Sequence, residues 1–271
     1  MKRLLLIATL AILVCSTGYG WGRREHATVA QIAENHLTPK AKKLITKYLG
    51  GRSMVYYSCY ADDYQPLNID LGWEPSNYRR MAMFPHTFGV DENCCPPRTI
   101  RKGDKYIKNT LYYIDTWSKD LAKNHRTMDD STRLVRLALI IHAVGDMHSP
   151  VHIRYPGDAT LGVYKVQYGD KPIDYHTLWD ANIVGKYNMW SYTTLARQYD
   201  FYTKQQAAEA TKGDVYAWGE DAARRSLPAR QYKKGAKIDK TAFMREFTPL
   251  AEEQICRAGY RLAKLLNDTF K

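Results

Sequence analysis

Apolar residues recur every three to four positions along most of this chain, the spacing that lines one face of an α-helix. Ala27, Ala30, Ile32 and Ala33 follow His26 on a first predicted helix ending near Asn35-His36. Thr38-Pro39 reads as an N-cap and first helical residue, and opens a second helix that runs through Tyr48 and stops at Gly50-Gly51. Residues 52–100 are rich in Tyr, Pro, Asp and Cys and show no sustained period. A third helix is predicted over 103–123. Asp130-Ser131 can cap the next, from Leu134 to Met147, with Pro150 limiting it. This helix is apolar on nearly all sides, which predicts a buried central position. Residues 154–172 carry turn signals and one short hairpin, Gly162 to Tyr168. Helix resumes near Tyr175, and further helices are predicted at 193–199, 203–225 and 241–268. Lys233-Lys234-Gly235-Ala236-Lys237 reads as a solvated basic connector. No repeat, linker or composition break interrupts the pattern. It predicts an all-α fold, one mostly helical domain with long loops and at most a small β-hairpin.

The first 20 of the 271 residues stand outside this pattern. Lys2 and Arg3 precede an apolar run from Leu4 to Val14, followed by small residues at Gly18 and Gly20. A charged n-region, an apolar h-region and small residues before a cleavage point describe a secretory signal peptide. The run is too short for a bilayer, which needs about 20 apolar residues. Cleavage after Gly20 makes Trp21 the first mature residue, with residues 21–271 forming the domain of a secreted or periplasmic protein.

Composition adds two constraints. Without Lys2 and Arg3, 38 basic residues face 28 acidic ones, a net charge of +10. Such a surface favours polyanions, although charge alone does not select one. The mature chain keeps four cysteines, Cys59, Cys94, Cys95 and Cys256. An even count in an exported protein predicts two disulfides. A bridge between neighbours is strained, so Cys256 is expected to pair with Cys94 or Cys95, and Cys59 with the other.

Candidate chemistry concentrates between His142 and Asp180. His142-x3-Asp146 and His176-x3-Asp180 each place an imidazole and a carboxylate one helical turn apart on one face, and His152 lies between the pairs. Nitrogen and carboxylate oxygen donors together suit zinc. Asp146 on an apolar helix is costly to desolvate unless a positive charge binds it. A structural role explains one buried histidine; five such residues in one stretch point to metal.

The order Trp21-Gly22-x3-His26, Tyr60-Ala61-Asp62, Pro85-His86, His142-x3-Asp146-x5-His152 and His176-x3-Asp180 resembles the S1/P1 nuclease family, relatives of the bacterial zinc-dependent phospholipases C. The match runs from Trp21 to Asp180. The resemblance implies a helical fold of the phospholipase C/P1 nuclease type with three zinc ions in a cleft. One ion would take Asp62, His86, His142 and Asp146. A second would take the free amine and carbonyl of Trp21, His26 and Asp146, which bridges the two. The third would take His152, His176 and Asp180. An α-amine has a pKa of about 7.7–8.0, so zinc can displace its proton near neutral pH. The resemblance further implies an in-line attack on phosphorus by a zinc-bound hydroxide, with Asp62 and Asp146 acting through that hydroxide. The substrates would be single-stranded DNA or RNA and 3′-nucleotides, the products would carry 5′-phosphates, and the enzyme would work as a monomer without stable membrane association.

The pocket departs from the family pattern. Gln65 stands where a basic residue is usual, and Arg79 or Arg80 is the candidate substitute. Asp158 to Gly162 replaces a Gly-Gly-Asn loop, and Asp174 replaces an Asn. Asp63 and Phe88 are the candidate substrate contacts, Phe88 as the base-stacking aromatic. His148 is expected to support the site from behind or to lie at the surface, His36 and His125 to be surface residues, and Trp179 to pack its helix. Two other functions compete with the nuclease. A phospholipase C on the same scaffold usually ends in His-x3-Glu, which Asp180 disfavours. A non-catalytic binding protein has only Gln65 in its support.

Overall fold

The computed structural model describes residues 21–63, 86–98, 109–158, 163–184 and 190–271. The leader, Gln65, Arg79, Arg80, positions 103–108 of the expected third helix and most of the 158–162 loop therefore lie outside the described residues. Ten helices among the described residues follow one another as α1 (Arg23–Asn35), α2 (Pro39–Tyr48), α3 (Tyr60–Asp63), α4 (Thr110–Asn124), α5 (Asp130–Met147), α6 (Tyr175–Thr177), α7 (Tyr192–Tyr199), α8 (Lys204–Ala210), α9 (Val215–Ser226) and α10 (Lys240–Thr269).

α5 is the axis of the fold. From Leu137 to Met147 every residue is buried, and its helical neighbours are α1, α2, α3, α4 and α10. Its cap is Asp129 rather than Asp130: the Asp129 carboxylate accepts from the Thr132 N–H at 2.8 Å, satisfying one of the donors left open at a helix start. α10, 30 residues long, lies across α1, α2, α4, α5, α7, α8 and α9 and ties the end of the chain to its beginning. α1 crosses it closely at Gly259, where an added Cβ would sit 2.4 Å from Ile32 Cγ2.

The helix predicted over 203–225 is two helices. Thr203 and Gln206 form a capping box that starts α8. Gly213 then turns at φ 84°, and the Asp214 carboxylate accepts from the Ala217 N–H at 2.9 Å to start α9. Such punctuation is stronger than the apolar period that spans it.

β-structure exceeds the single hairpin expected and is displaced from it. Strands β3 (Lys165–Tyr168) and β4 (Lys171–Asp174) pair antiparallel, Lys165 opposite Asp174, so the turn falls at Gly169-Asp170. β5 (Lys237–Ile238) joins β3 in parallel. The Lys233–Lys237 connector keeps its lysines exposed, but its backbone is paired: Gly235 N–H donates to Lys165 O at 2.8 Å. Two more short strands, β1 (Phe88–Gly89) and β2 (Ile153–Arg154), pair in parallel.

Cys59, Cys94, Cys95 and Cys256 all carry free thiols, which corrects the two bridges expected. Their surroundings differ. Cys59 lies near Asp62 and Arg23, Cys94 near Asp91 and Arg224, and Cys256 near Glu253 and Asp200. Among the described residues no helix is long and apolar enough to cross a membrane.

Gly259→Ala is expected to destabilise the protein by about 1–3 kcal/mol through overpacking, outweighing the ~1 kcal/mol that alanine gains in helix propensity. Urea unfolding checks this, and adding Ile32→Ala should recover part of the loss because the two sites touch.

Candidate metal centre

Asp146 lies at the centre of the site, fully buried on the last turn of α5. Its two oxygens face different partners. Oδ2 lies 2.6 Å from His86 Nδ1 and 3.0 Å from His142 Nε2, whereas Oδ1 lies 3.4 Å from His26 Nε2. Asp62 closes the group from α3, with Oδ1 3.6 Å from His142 Nε2 and 3.8 Å from His86 Nε2. His26, from the first turn of α1, stacks its ring on His142 with centroids 4.2 Å apart. It can approach α5 because residue 145 is glycine: a Cβ there would sit 2.6 Å from His26 Nδ1.

His152, His176 and Asp180 form a neighbouring group. His152 Nε2 is 3.1 Å from His176 Nε2, and His176 Nε2 is 3.1 Å from Asp180 Oδ2. The α-helical turn α6 passes into a π-helical turn, Leu178–Asn182, that carries Asp180. Parallel pairing of β1 with β2 brings His86 and His152 alongside one another, and His152 Nδ1 lies 2.9 Å from the His86 carbonyl. The Gly22 N–H donates to the Asp180 carbonyl at 2.8 Å, which seats buried Trp21 beside this pair. Gly22 allows the approach, since a Cβ there would stand 2.7 Å from that carbonyl oxygen.

Backbone carbonyls orient two of the imidazoles. His142 Nδ1–H donates to Ser58 O at 2.9 Å, and His152 Nδ1–H to His86 O. Each Nε2 is thereby left toward the cluster, the arrangement that fixes tautomer and direction in metal-binding histidines.

The charges do not balance within the protein. Burial pushes the Asp180 carboxyl well above its usual range, and Asp146, Glu25 and Asp62 push it further. Burial acts the same way on Asp146, but His142, His86 and His152 overcome it and hold the carboxyl well below that range. Burial opposes a charge on His142 as well, yet Asp146 and Asp62 raise the imidazole to about 9. Several buried atoms lack a hydrogen-bond partner: His26 Nε2, Asp62 Oδ1, Asp146 Oδ1 and both Asp180 oxygens. Buried carboxylates without partners are costly, and they cluster here. Ligands about 2.0–2.2 Å from a tetrahedral zinc stand roughly 3.3–3.6 Å apart, and most of the separations above lie close to that range. The donor set therefore fits a metal. By proximity alone His26 falls with Asp62 and His142, and His86 with Asp146 and His152, while His152, His176 and Asp180 form the third group. The first two groups are one continuous cluster around Asp146.

The other expected residues divide. Asp63 sits next to Asp62 and accepts from Arg23 Nη1 at 2.9 Å. Its carboxylate therefore already holds a guanidinium. Phe88 is 1% exposed; β1 turns it inward against Gly219 of α9, so it presents no ring to a base. His148 is not at the surface; it lies behind the donor groups and supports α5 from there. It is fully buried, with Nε2 2.9 Å from Arg261 Nη1, and joins α5 to α10. His125 is buried too, with its Nδ1 2.6 Å from the Tyr48 hydroxyl. His36 is exposed and pairs with Asp200 at 2.8 Å. Trp179 packs as expected, its ring centroid 5.3 Å from that of Phe247. Gly145, Arg23 and the Ser58 carbonyl were not predicted. A glycine inside a continuous apolar helix was the available signal for the first.

A family model described as S1/P1 Nuclease matches residues 21–271. The chain is 24% identical to Nuclease S1 of Aspergillus oryzae over 301 aligned positions, covering 98% of each chain. It is 21% identical to Endonuclease 2 of Arabidopsis thaliana, covering 66% of this chain and 62% of that one. It is also 21% identical to Endonuclease 4 of the same plant, covering 60% and 55%.

Asp146→Asn is expected to lower metal content in both groups around residue 146 while the His152, His176 and Asp180 group keeps its ion; metal analysis of the purified variant showing undiminished content would contradict the shared ligand. A pH series on metal-stripped protein gives a second check. His142 is raised when folded, so its contribution is complete below its unfolded pKa near 6.5 and is lost as pH rises through about 9. Asp180, also raised, acts in the same direction. The melting temperature with a chelator should fall between pH 7 and 9, and zinc should remove that fall.

Proposed function

The chain belongs to the S1/P1 nuclease family, and on that premise we propose that it is an exported zinc-dependent phosphodiesterase. It cleaves single-stranded DNA and RNA, and 3′-nucleotides, leaving 5′-phosphates. The observation that carries this reading is the Asp146 carboxylate, which turns one oxygen to His86 and His142 and the other to His26 and His152 in a fully buried setting. One carboxylate addressing two sets of imidazoles suits a pair of cations and serves no packing purpose.

Three zinc ions are proposed. His86, His142 and Asp62 would share the first with Asp146, Trp21 and His26 would share the second with Asp146, and His152, His176 and Asp180 would hold the third. Bound zinc would lower the pKa of water and polarise a phosphoryl oxygen. The protein's share is positioning. The Ser58 and His86 carbonyls aim His142 and His152, and α5 fixes His142 against Asp146. Among the His and Asp donors Asp62 has the most accessible side chain, at 11%, so its edge faces the substrate. The mature charge of +10 draws a polyanion toward it. Trp21 is buried, and Gly22 is hydrogen-bonded to Asp180, which suits a chain end placed inside the cluster. Removal of residues 1–20 would free that amine, making export a condition for a complete site.

Protein beginning at Trp21 is expected to cleave single-stranded DNA and 3′-nucleotides with zinc, lose both activities to a chelator, and leave phosphatidylcholine vesicles intact. Lipid cleavage without DNA cleavage would replace this reading with the phospholipase. A version carrying one residue before Trp21 should bind one zinc fewer, as counted by elemental analysis.

A further inference from the structure

Six residues before Asp62 lies Tyr56, 53% exposed. It belongs to a 3-10 turn, Met54–Tyr57, that is firmly anchored. Met54 is fully buried, and its N–H donates to the Glu34 carboxylate at 2.5 Å. The Ser58 hydroxyl donates to the Val55 carbonyl at 2.9 Å. The Arg52 guanidinium lies over the Tyr56 ring, 4.2 Å from its centroid. Tyr57 meets Tyr56 edge to face at 4.9 Å and Tyr60 at 5.8 Å. Ser58, the next residue, directs His142 through its carbonyl. A row of aromatic rings therefore runs from solvent at Arg52–Tyr56 to buried Tyr60, two residues before the ligand Asp62.

Packing does not explain the outer end of this row. Tyr48 and Tyr60 turn their rings inward, whereas Tyr56 stays half in water on a backbone with little freedom to move. The other large exposed apolar side chains among the described residues, Val163, Trp190, Phe201 and Leu227, lie on other segments. Single-stranded nucleic acid is recognised by aromatic faces that stack bases, together with cationic groups along the backbone, and arginine planes stack on bases as well. Six residues span at most about 20 Å, so Tyr56 is within a few nucleotides of Asp62.

We propose that Arg52 and Tyr56 form a platform that stacks a base and holds a phosphate of the strand flanking the bond cleaved at the metal centre. This rests on the nuclease reading and extends it to how a long strand is held. The platform substitutes for the stacking role that buried Phe88 cannot fill.

The test uses zinc-loaded protein beginning at Trp21. Fluorescence anisotropy measures its binding to a phosphorothioate-substituted single strand, and kinetics compare a long single strand with a 3′-mononucleotide. Tyr56→Ala is expected to weaken strand binding at least about fivefold, the low end for one stacked base. It should also raise KM for the long strand relative to the mononucleotide, while Tyr56→Trp retains both. Arg52→Ala should reduce the salt slope of binding by about 0.7, the value for one phosphate contact on a single strand. Unchanged strand binding by Tyr56→Ala, or an equal rise in KM for both substrates, would overturn the platform. If the parent protein binds strand, cleaves none, and Tyr56→Ala still weakens binding, the nuclease reading fails and the platform stands. If the parent cleaves and Tyr56→Ala binds equally well, the platform fails and the nuclease reading stands.

Discussion

A carboxylate with no access to water must be neutralised where it stands, and Asp146 imposes that condition on the rest of the structure. It sits on the most buried of the described helices, where an isolated charge is among the costliest groups a fold can hold. His26, His86 and His142 reach it from three separate segments, and His152 lies close behind. Each of these segments is placed where an imidazole can meet it. The imidazoles alone do not complete the balance, because orphaned oxygens remain on Asp62, Asp146 and Asp180. Cations held among these donors would complete the balance, and their binding would then be coupled to folding.

The fold meets that demand with modest devices. Gly145 and Gly22 let α1 and the chain before it approach the site closely. A two-residue parallel pairing sets His86 beside His152. Carbonyls of Ser58 and His86 fix which nitrogen of each imidazole is presented. Behind the site, Arg261 of α10 bonds to His148 and Asp221. Burial and the Arg261 charge push His148 down to about 3, so it remains neutral. That joint locks the end of α5, which carries His142 and Asp146, against α10, the longest of the described helices.

On the open side the segment from Arg52 to Asp63 does several jobs in a short length. It supplies Asp62 of the metal-capable cluster, a carbonyl that orients His142, and a carboxylate that pairs with Arg23. Its exposed ring and cation, Tyr56 and Arg52, lie at one end and the largely covered Asp62 at the other. A substrate that is both anionic and aromatic suits such a gradient better than a lipid head group does.

Much of the site was legible because helical spacing is a local property. His142 and Asp146, and His176 and Asp180, share a face whatever surrounds them, and the unbroken apolar run of α5 already implied burial. The eight His and Asp donors named from the sequence all fall into the metal-capable groups. Where local signals were weak or competing, the expectations shifted: Asp129 rather than Asp130 caps α5, and Gly213-Asp214 splits a helix that the apolar period would have continued. Long-range properties were not legible. Phe88 turns inward because β1 pairs with β2, His125 is buried because Tyr48 and Arg133 close over it, and the hairpin shifts to meet β5. Residue order determined which donors exist and which pairs share a turn, because those depend on neighbours along the chain. Tertiary structure alone decided that Asp146 stands between separate sets of imidazoles and that Tyr56 stays in water, because those depend on which distant segments come together.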